Sequence, residues 1–545
     1  MFDYIIIGGG SAGCVLASRL SENPAIQVAL LEAGPADSSV LIHCPAGLAL
    51  LAQTKQANWA FKTTPQAGLN GRQGYQPRGK VLGGSSSINA MVYARGHQSD
   101  YDHWAAQGNP GWSYADVLPY FKKAENNERT FEAKDAQFHG KGGPLNVMDL
   151  RSPTKFGPIF VEAGKQAGHP ENKDFNGAEQ HGVGMFQVTH KGGERWSAAK
   201  GYLTPHIAPN LARPNLTVIT SAHTTRILLE GKRAVGVEYR HGNELKQIKA
   251  SQEVLLCAGA LQSPQILMLS GIGPTAELQK HGIVVVHDLP GVGENLHDHI
   301  DIVQVVHAPH LKDLFGVSIS GLLQAVKGIF EWRKHRSGML TTNFAEAGGF
   351  IKTSPEEAVP DLQFHFVVGK LVDHGRKPTF GHGYSCHVCL MRPKSRGRVT
   401  LASGDPTAAP LIDPNFLADA DDMRRMVQGF KQMRTVLNQP ALAGYRGQEL
   451  ATTANAKTDA EIENVVRNYG DTIYHPVGTC RMGPLQGPQA NPLNVVDSEL
   501  RVHGMQSLRV VDASIMPRIV AGNTNAPVIM VAEKAADMIK TVQNT

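Results

Sequence analysis

The sequence predicts an α/β fold, on three observations. An apolar run, Tyr4-Ile5-Ile6-Ile7, breaks at once into Gly8-Gly9-Gly10-Ser11-Ala12-Gly13. The periodicity then becomes helical, with Val15, Leu16, Arg19 and Leu20 giving one apolar face. A second apolar run, Val28-Ala29-Leu30-Leu31, ends in Glu32. Strand, glycine turn, helix, strand and acid, in that order, make a βαβ unit.

Each position in this unit has its own physical reason. Gly8 permits the tight turn, Gly10 lets backbone approach a pyrophosphate on the helix N-terminus, and Gly13 lets helix and strand pack closely. Glu32, about 20 residues on, is placed to accept hydrogen bonds from ribose hydroxyls and would repel a 2′-phosphate. The unit therefore points to a dinucleotide, and against NADP. It does not separate FAD from NAD. Gly271-Ile-Gly273-Pro-Thr-Ala276 has nearly the same spacing, but it follows a helical pattern and contains Pro274, and reads as a helix-terminating turn.

Composition bounds the rest. The chain has 545 residues, 41% hydrophobic and 19% charged, enough to bury a sizeable core and too apolar for wholesale disorder. The net charge of +5 is spread along the chain, so no nucleic-acid partner is expected. Six cysteines do not make a disulfide framework and suit a reducing compartment. No run reaches the roughly 18 apolar residues of a spanning helix. Asp3 stands where a signal peptide would be basic. These features give the expectation of a cytoplasmic protein. Association with the inner face of the cell membrane stays open.

Two further stretches are more specific. Gly79-Lys80-Val81-Leu82-Gly83-Gly84-Ser85-Ser86-Ser87-Ile88-Asn89 is followed by Tyr93, Gly96 and Asp102; Gly259-Ala-Leu-Gln-Ser263-Pro264 continues to Ser270-Gly271-Ile-Gly273. Both resemble the signatures of the glucose–methanol–choline (GMC) family of FAD oxidoreductases. The resemblance continues through Asn295-Leu-His-Asp298-His299, Glu346-Ala-Gly-Gly-Phe350, Pro393-Lys-Ser-Arg396-Gly397, Tyr474-His475-Pro476-Val-Gly478-Thr479-Cys480 and Gly522-Asn523-Thr524-Asn525-Ala-Pro527. It covers essentially the whole chain. Bacterial FAD-linked alcohol dehydrogenases look most similar, choline dehydrogenases somewhat less so. His297 stands where many members carry Gln.

The resemblance implies a Rossmann-type FAD-binding domain plus a substrate domain with an antiparallel sheet backed by helices. The FAD domain is expected from 1–155, 210–300 and 470–545, and the substrate domain from 156–209 and 301–469. Within the latter, Met426, Val427, Phe430, Met433, Val436 and Leu437 read as one amphipathic helix. The resemblance implies FAD contacts at Gly8, Gly10, Ser11, Ala12, Gly13, Glu32, Ala33, Val81, Gly83, Gly84, Ser85, Asn89, Ala90, Met91, Val92, Thr224, Asp512, Ala513, Asn523 and Thr524. Ser263-Pro264 reads as a helix start.

The resemblance also implies a catalytic pair. His475 is the base that takes the alcohol proton as hydride passes to flavin N5. The second residue is Asn525 or Asn523, and counting the last helix back from Glu533 favours Asn525. Other branches carry a second His there. The unperturbed histidine pKa, near 6.5, would make activity rise through that pH. The implied activity is oxidation of primary alcohols to aldehydes, medium-chain aliphatic ones first, with a quinone or other carrier as acceptor. An alcohol oxidase using O₂, a choline-type dehydrogenase and a non-redox hydroxynitrile lyase are the alternatives.

Other candidates have plainer readings. Cys386-His-Val-Cys389 lies in a strand pattern, where residues three apart face opposite ways, so no metal is expected there. His297-Asp298-His299 reads as a polar turn near the flavin. Glu346 is a structural acid or a substrate-facing carboxylate. Lys327 to Arg336 mixes apolar and cationic residues; contact with a membrane surface and a solvated helix over the active-site mouth are both open.

Overall fold

A computed structural model describes the chain apart from residues 52–53, 208–211, 374, 378 and 544–545. The expected boundary at 209/210 lies outside the described residues. The βαβ unit is where the sequence puts it. Strands Phe2–Ile7 and Val28–Leu31 pair in parallel around helix Ser11–Leu20. Gly8 sits at φ +99, a left-handed conformation that favours glycine. A Cβ on Gly13 would come within 1.9 Å of the Gly8 carbonyl oxygen, so helix and turn touch only because Gly13 lacks one.

These strands belong to a seven-stranded sheet ordered Leu216–Ile219, Val28–Leu31, Phe2–Ile7, Glu244–Leu256, Arg233–His241, Ala222–Glu230. Glu244–Leu256 serves two systems. Its C-terminal half pairs in parallel with Phe2–Ile7 and with Leu508–Val510, while its N-terminal half pairs antiparallel with Arg233–His241. The strands in the parallel part are almost wholly apolar because helices cover the sheet. The C-terminal helix Asn525–Gln543 lies along Ser11–Leu20. Between them, Glu533 is fully buried and accepts from Arg19 Nε and Nη2 at 2.8 and 2.7 Å and from the Tyr202 hydroxyl at 2.8 Å.

A second, eight-stranded sheet is antiparallel at every pairing. Its order is Gln448–Glu449, Ile300–His307, Gly381–Leu390, Leu362–Val367, Ala345–Ile351, Gly182–Met185, with Gly316–Val317 pairing off this path with Gly381–Leu390 and Asp471–Thr472 with Ile300–His307. Helices Phe156–Gln166 and Ala420–Leu437 bury their apolar stripes on one face of it. The predicted stripe from Met426 to Leu437 is the buried one. On that face stand Leu362, Phe364, Phe366, Tyr384, Cys386, Val388 and Leu390. Strand alternation sends Gln363, His365, Ser385, His387 and Cys389 to the other face.

The structure departs from the expected division at two places. Ala198, Ala199, Tyr202 and Leu203, placed with 156–209, pack in the core of the first sheet. Asp471–Thr472, placed with 470–545, pairs with Ile300–His307 of the second. Ser263-Pro264 is not a helix start either. Helix Gly259–Leu269 begins earlier and holds Pro264 inside. Proline removes the N–H that would bond the carbonyl four residues back. That carbonyl, Ala260 O, accepts instead from buried Thr479 Oγ1 at 2.5 Å. Two stretches 219 residues apart are thus coupled by one orphaned acceptor. Thr479→Val should leave that acceptor unpaired and cost about 1–3 kcal/mol, read as a lower urea midpoint. An unchanged midpoint would mean the carbonyl finds another donor.

Candidate active site

One cavity of about 850 Å³ joins the two sheets. At one end lie Gly8, Gly10, Ser11, Ala12, Glu32, Ala33, Thr224 and Asp512; elsewhere along it, Gly84, Ser85, Asn89, Ala90, Met91, Val92, Ala513 and Thr524; at the other end, Asn523 and His475. Gly13, Val81 and Gly83 do not line it. Gly13 is spent on helix–turn packing, Val81 is buried with Ile42, Leu51 and Ile88, and Gly83 donates its N–H to Gly9 O at 2.7 Å. Of the serines in the Gly84–Ser87 turn, Ser86 and Ser87 bond backward to Gly83 O and Leu82 O, leaving Ser85 at the cavity wall.

The first end fits a dinucleotide. Helix Ser11–Leu20 has Gly10 as its N-cap, with no capping side chain. Its first N–H groups and positive dipole end therefore have no side-chain cap, and Gly10, Ser11 and Ala12 border the cavity. A Cβ built on Gly10 would meet only Gly84 Cα at 4.0 Å, so a methyl there would fill cavity space and not protein. Glu32 accepts from Gly9 N and Gly34 N at 2.9 and 2.8 Å, and burial pushes its pKa up to about 7 against those bonds. Asp512 ties the wall together, accepting from Gly259 N, Ser263 Oγ and Ser514 N at 2.8, 2.6 and 2.8 Å.

The far end is built around His475. Its backbone N–H donates to Asp298 Oδ1 at 2.8 Å. The same buried carboxylate accepts from Gln76 Nε2 at 2.9 Å and Thr472 Oγ1 at 2.5 Å. Tyr474 is held at φ +75, and its carbonyl accepts from Arg78 Nη2 at 2.5 Å. The turn expected of His297-Asp298-His299 is thus the mount of the neighbouring loop.

A proton inventory fixes the ring. His299 Nε2 lies 3.0 Å from Met391 O, and a carbonyl only accepts, so this nitrogen carries hydrogen. Burial, the largest influence, lowers His299 to about 3, so its ring is neutral and Nδ1 is bare. His299 Nδ1 lies 3.0 Å from His475 Nδ1, which must therefore donate. His475 is also neutral, its pKa driven well below 6.5 by burial first and then by His299, His365 and Arg78. The consequence is a bare Nε2 on His475.

Asn523 Nδ2 stands 3.3 Å from that nitrogen, and its Oδ1 accepts from Gln363 Nε2 at 3.2 Å. Asn525 does not take this place. Its Oδ1 accepts from Ser11 Oγ at 2.8 Å, because the C-terminal helix starts against the first helix and turns the side chain of its opening residue toward the glycine loop. The loop before Asn523 is pinned by Trp104 Nε1 on Arg518 O, His297 Nε2 on Ile519 N and Asp100 Oδ2 on Ala521 N, at 2.8, 2.9 and 2.7 Å.

Sequence reasoning passed over several residues here. His365 and His387, opposite each other in the register, line the cavity. The available signal was a period-two alternation that puts histidine on the face opposite Leu and Phe. Glu346 does not line the cavity; its carboxylate accepts from Thr154 N, Thr154 Oγ1 and Thr342 Oγ1, each at 2.7 Å. Cys386 and Cys389 lie in strand Gly381–Leu390 as unpaired thiols.

The GMC oxidoreductase family models match residues 2–301 and 393–532. The chain is 50% identical to the alcohol dehydrogenase [acceptor] of Pseudomonas putida, over 99% of this chain and 96% of the relative. It is 45% identical to the mitochondrial choline dehydrogenase of Homo sapiens, over 99% and 90%. The structure of an FAD-dependent oxidoreductase from Chaetomium thermophilum superposes with a TM-score of 0.88 at 30% identity, covering 100% of each chain. Gly10→Ala should fold normally yet retain FAD about tenfold less tightly, since its methyl occupies the cradle. Flavin absorbance per protein at matched circular dichroism reads this; equal retention would place the diphosphate elsewhere.

Proposed function

The chain belongs to the GMC oxidoreductases, and from that premise we propose that it oxidises primary alcohols to aldehydes with FAD as its cofactor. The observation that carries this reading is the bare His475 Nε2 beside Asn523 Nδ2, in the same cavity as the glycine loop. Gly8, Gly10, Ser11 and Ala12 would hold the diphosphate, Glu32 the ribose, and residues 84–92, 512–513 and 523–524 the ring system. FAD, when bound, supplies the acceptor for the hydride leaving the alcohol carbon.

The side chains supply the rest. An alcohol oxygen set between the two nitrogens donates its proton to His475 Nε2 and accepts from Asn523 Nδ2 as charge develops on it. His299 keeps the receiving nitrogen bare. Gln363 keeps the Asn523 amide turned with nitrogen inward. The apolar cavity walls exclude water and favour a substrate with a hydrocarbon tail. The name of the Pseudomonas relative supports a carrier as electron acceptor, a quinone in this reading. Glu346, turned away to Thr154 and Thr342, gives no support to choline as the substrate.

Anaerobic mixing with 1-octanol should bleach the flavin, and choline should bleach it far more slowly; no bleaching by any alcohol would sink the reading. His475→Ala should slow bleaching by roughly 10²–10⁴-fold at unchanged flavin content, and Asn523→Ala by roughly 10²–10³-fold. Asn525→Ala should instead weaken FAD retention and leave the loaded protein's bleaching rate within about threefold. The reverse ranking would restore Asn525 to the pair. The pH profile is also displaced. A base acts when neutral, that is above its pKa, and His475 is held well below 6.5. Bleaching should therefore stay level from neutral pH upward and fall only below 6.5. An inflection at 6.5, the value expected of an unperturbed ring, would mean that His475 is solvated.

A further inference from the structure

Helix Ile319–His335 is amphipathic the wrong way round. Ile319, Leu322, Leu323, Val326, Ile329 and Phe330 recur at spacings of three and four and form one stripe. On a surface helix that stripe ordinarily faces the core. Here the six are 83, 66, 66, 44, 47 and 71% exposed. The buried side holds only Gly328 and Trp332, the latter donating its indole N–H to Gly193 O at 2.9 Å. Val317 and Phe380, joined by a β-bridge, add exposed apolar surface beside the helix. A patch of this kind marks a contact surface.

Its charge is predominantly positive. Lys312, Lys327, Arg333 and Lys334 are exposed around it. Of the neighbouring acids, Asp313 pairs with Lys155 at 2.7 Å, and Glu331, only half-buried, accepts from Ser337 Oγ at 3.2 Å and leaves the four cations in excess. The patch also borders the cavity. Phe315, Gly316, Val317, Ala325 and Lys377 belong to the cavity wall, and Val317 and Lys377 are themselves exposed, so the cavity reaches the surface here.

We propose that this face docks on an anionic lipid bilayer, with the apolar stripe at the headgroup–acyl boundary and the cavity mouth at the membrane surface. The cationic fringe complements anionic headgroups. A folded partner seated here would cover the mouth, whereas a fluid bilayer leaves it open to molecules that partition into lipid. Among the described residues no helix is long and apolar enough to cross a membrane, so the contact is peripheral.

The FAD-loaded protein, spun with phosphatidylglycerol–phosphatidylcholine vesicles, should sediment with them, and less so with phosphatidylcholine alone or in high salt. Leu323→Glu combined with Phe330→Glu should lower the bound fraction about tenfold. Neither residue lines the cavity, so bleaching by a short water-soluble alcohol should match the parent and report an intact fold. The proposal falls if the parent protein stays in the supernatant, or if the double variant sediments equally well. It falls too if the parent is a dimer in solution that the double variant makes monomeric, since a second copy would then cover the face. None of these outcomes touches the alcohol reading.

Discussion

The hydrogen bond between His299 Nδ1 and His475 Nδ1 is the constraint on which the site depends. Its direction is set outside the cavity, by a main-chain carbonyl at Met391 that can only accept. One proton placed there decides which nitrogen of His299 is bare, which nitrogen of His475 is protonated, and which nitrogen faces the cavity without hydrogen. Burial enforces the inventory, because loss of hydration is the largest influence on both rings and disfavours the charged imidazole. Asp298, the acid close by, is fully occupied by Gln76, Thr472 and the His475 backbone. It fixes where the ring is, while His299 fixes what the ring can accept.

The fold brings distant parts of the chain to this arrangement through a few buried polar contacts. Arg19 and Glu533 lock the first helix to the last one and so set Asn525 against the glycine loop and Asn523 against His475. Thr479 closes the carbonyl that Pro264 leaves open and so ties the helix beneath the cavity to the loop carrying His475. These contacts lie where an unpaired group would cost most, in water-free surroundings. The second sheet contributes by alternation. Its apolar face takes two helices, and the opposite face offers Gln363, His365 and His387 to the cavity region. The outward stripe of Ile319–His335 lies at the rim of the same cavity, so its chemistry and its surface share one opening.

Local patterns in the sequence determined the βαβ unit, the tight turn at Gly8, the close packing at Gly13 and the buried stripe of Ala420–Leu437. Each of these depends on neighbours a few residues apart, and short-range sterics and periodicity are written in the chain itself. Tertiary structure alone decided the rest. Asn523 and Asn525 both precede the last helix, and only the packing of that helix on the first one shows which side chain meets His475. Ser263-Pro264 looks like a helix start because the donor that excuses Pro264, Thr479, is more than 200 residues away. Val81, Gly83 and Gly13 sit among the implied FAD contacts in sequence, yet in space Val81 packs with Ile42, Leu51 and Ile88, Gly83 bonds to Gly9 and Gly13 lies against Gly8, since burial is a property of neighbours in space. The tautomer of His475 was likewise beyond the sequence: it depends on a carbonyl, and every residue has one.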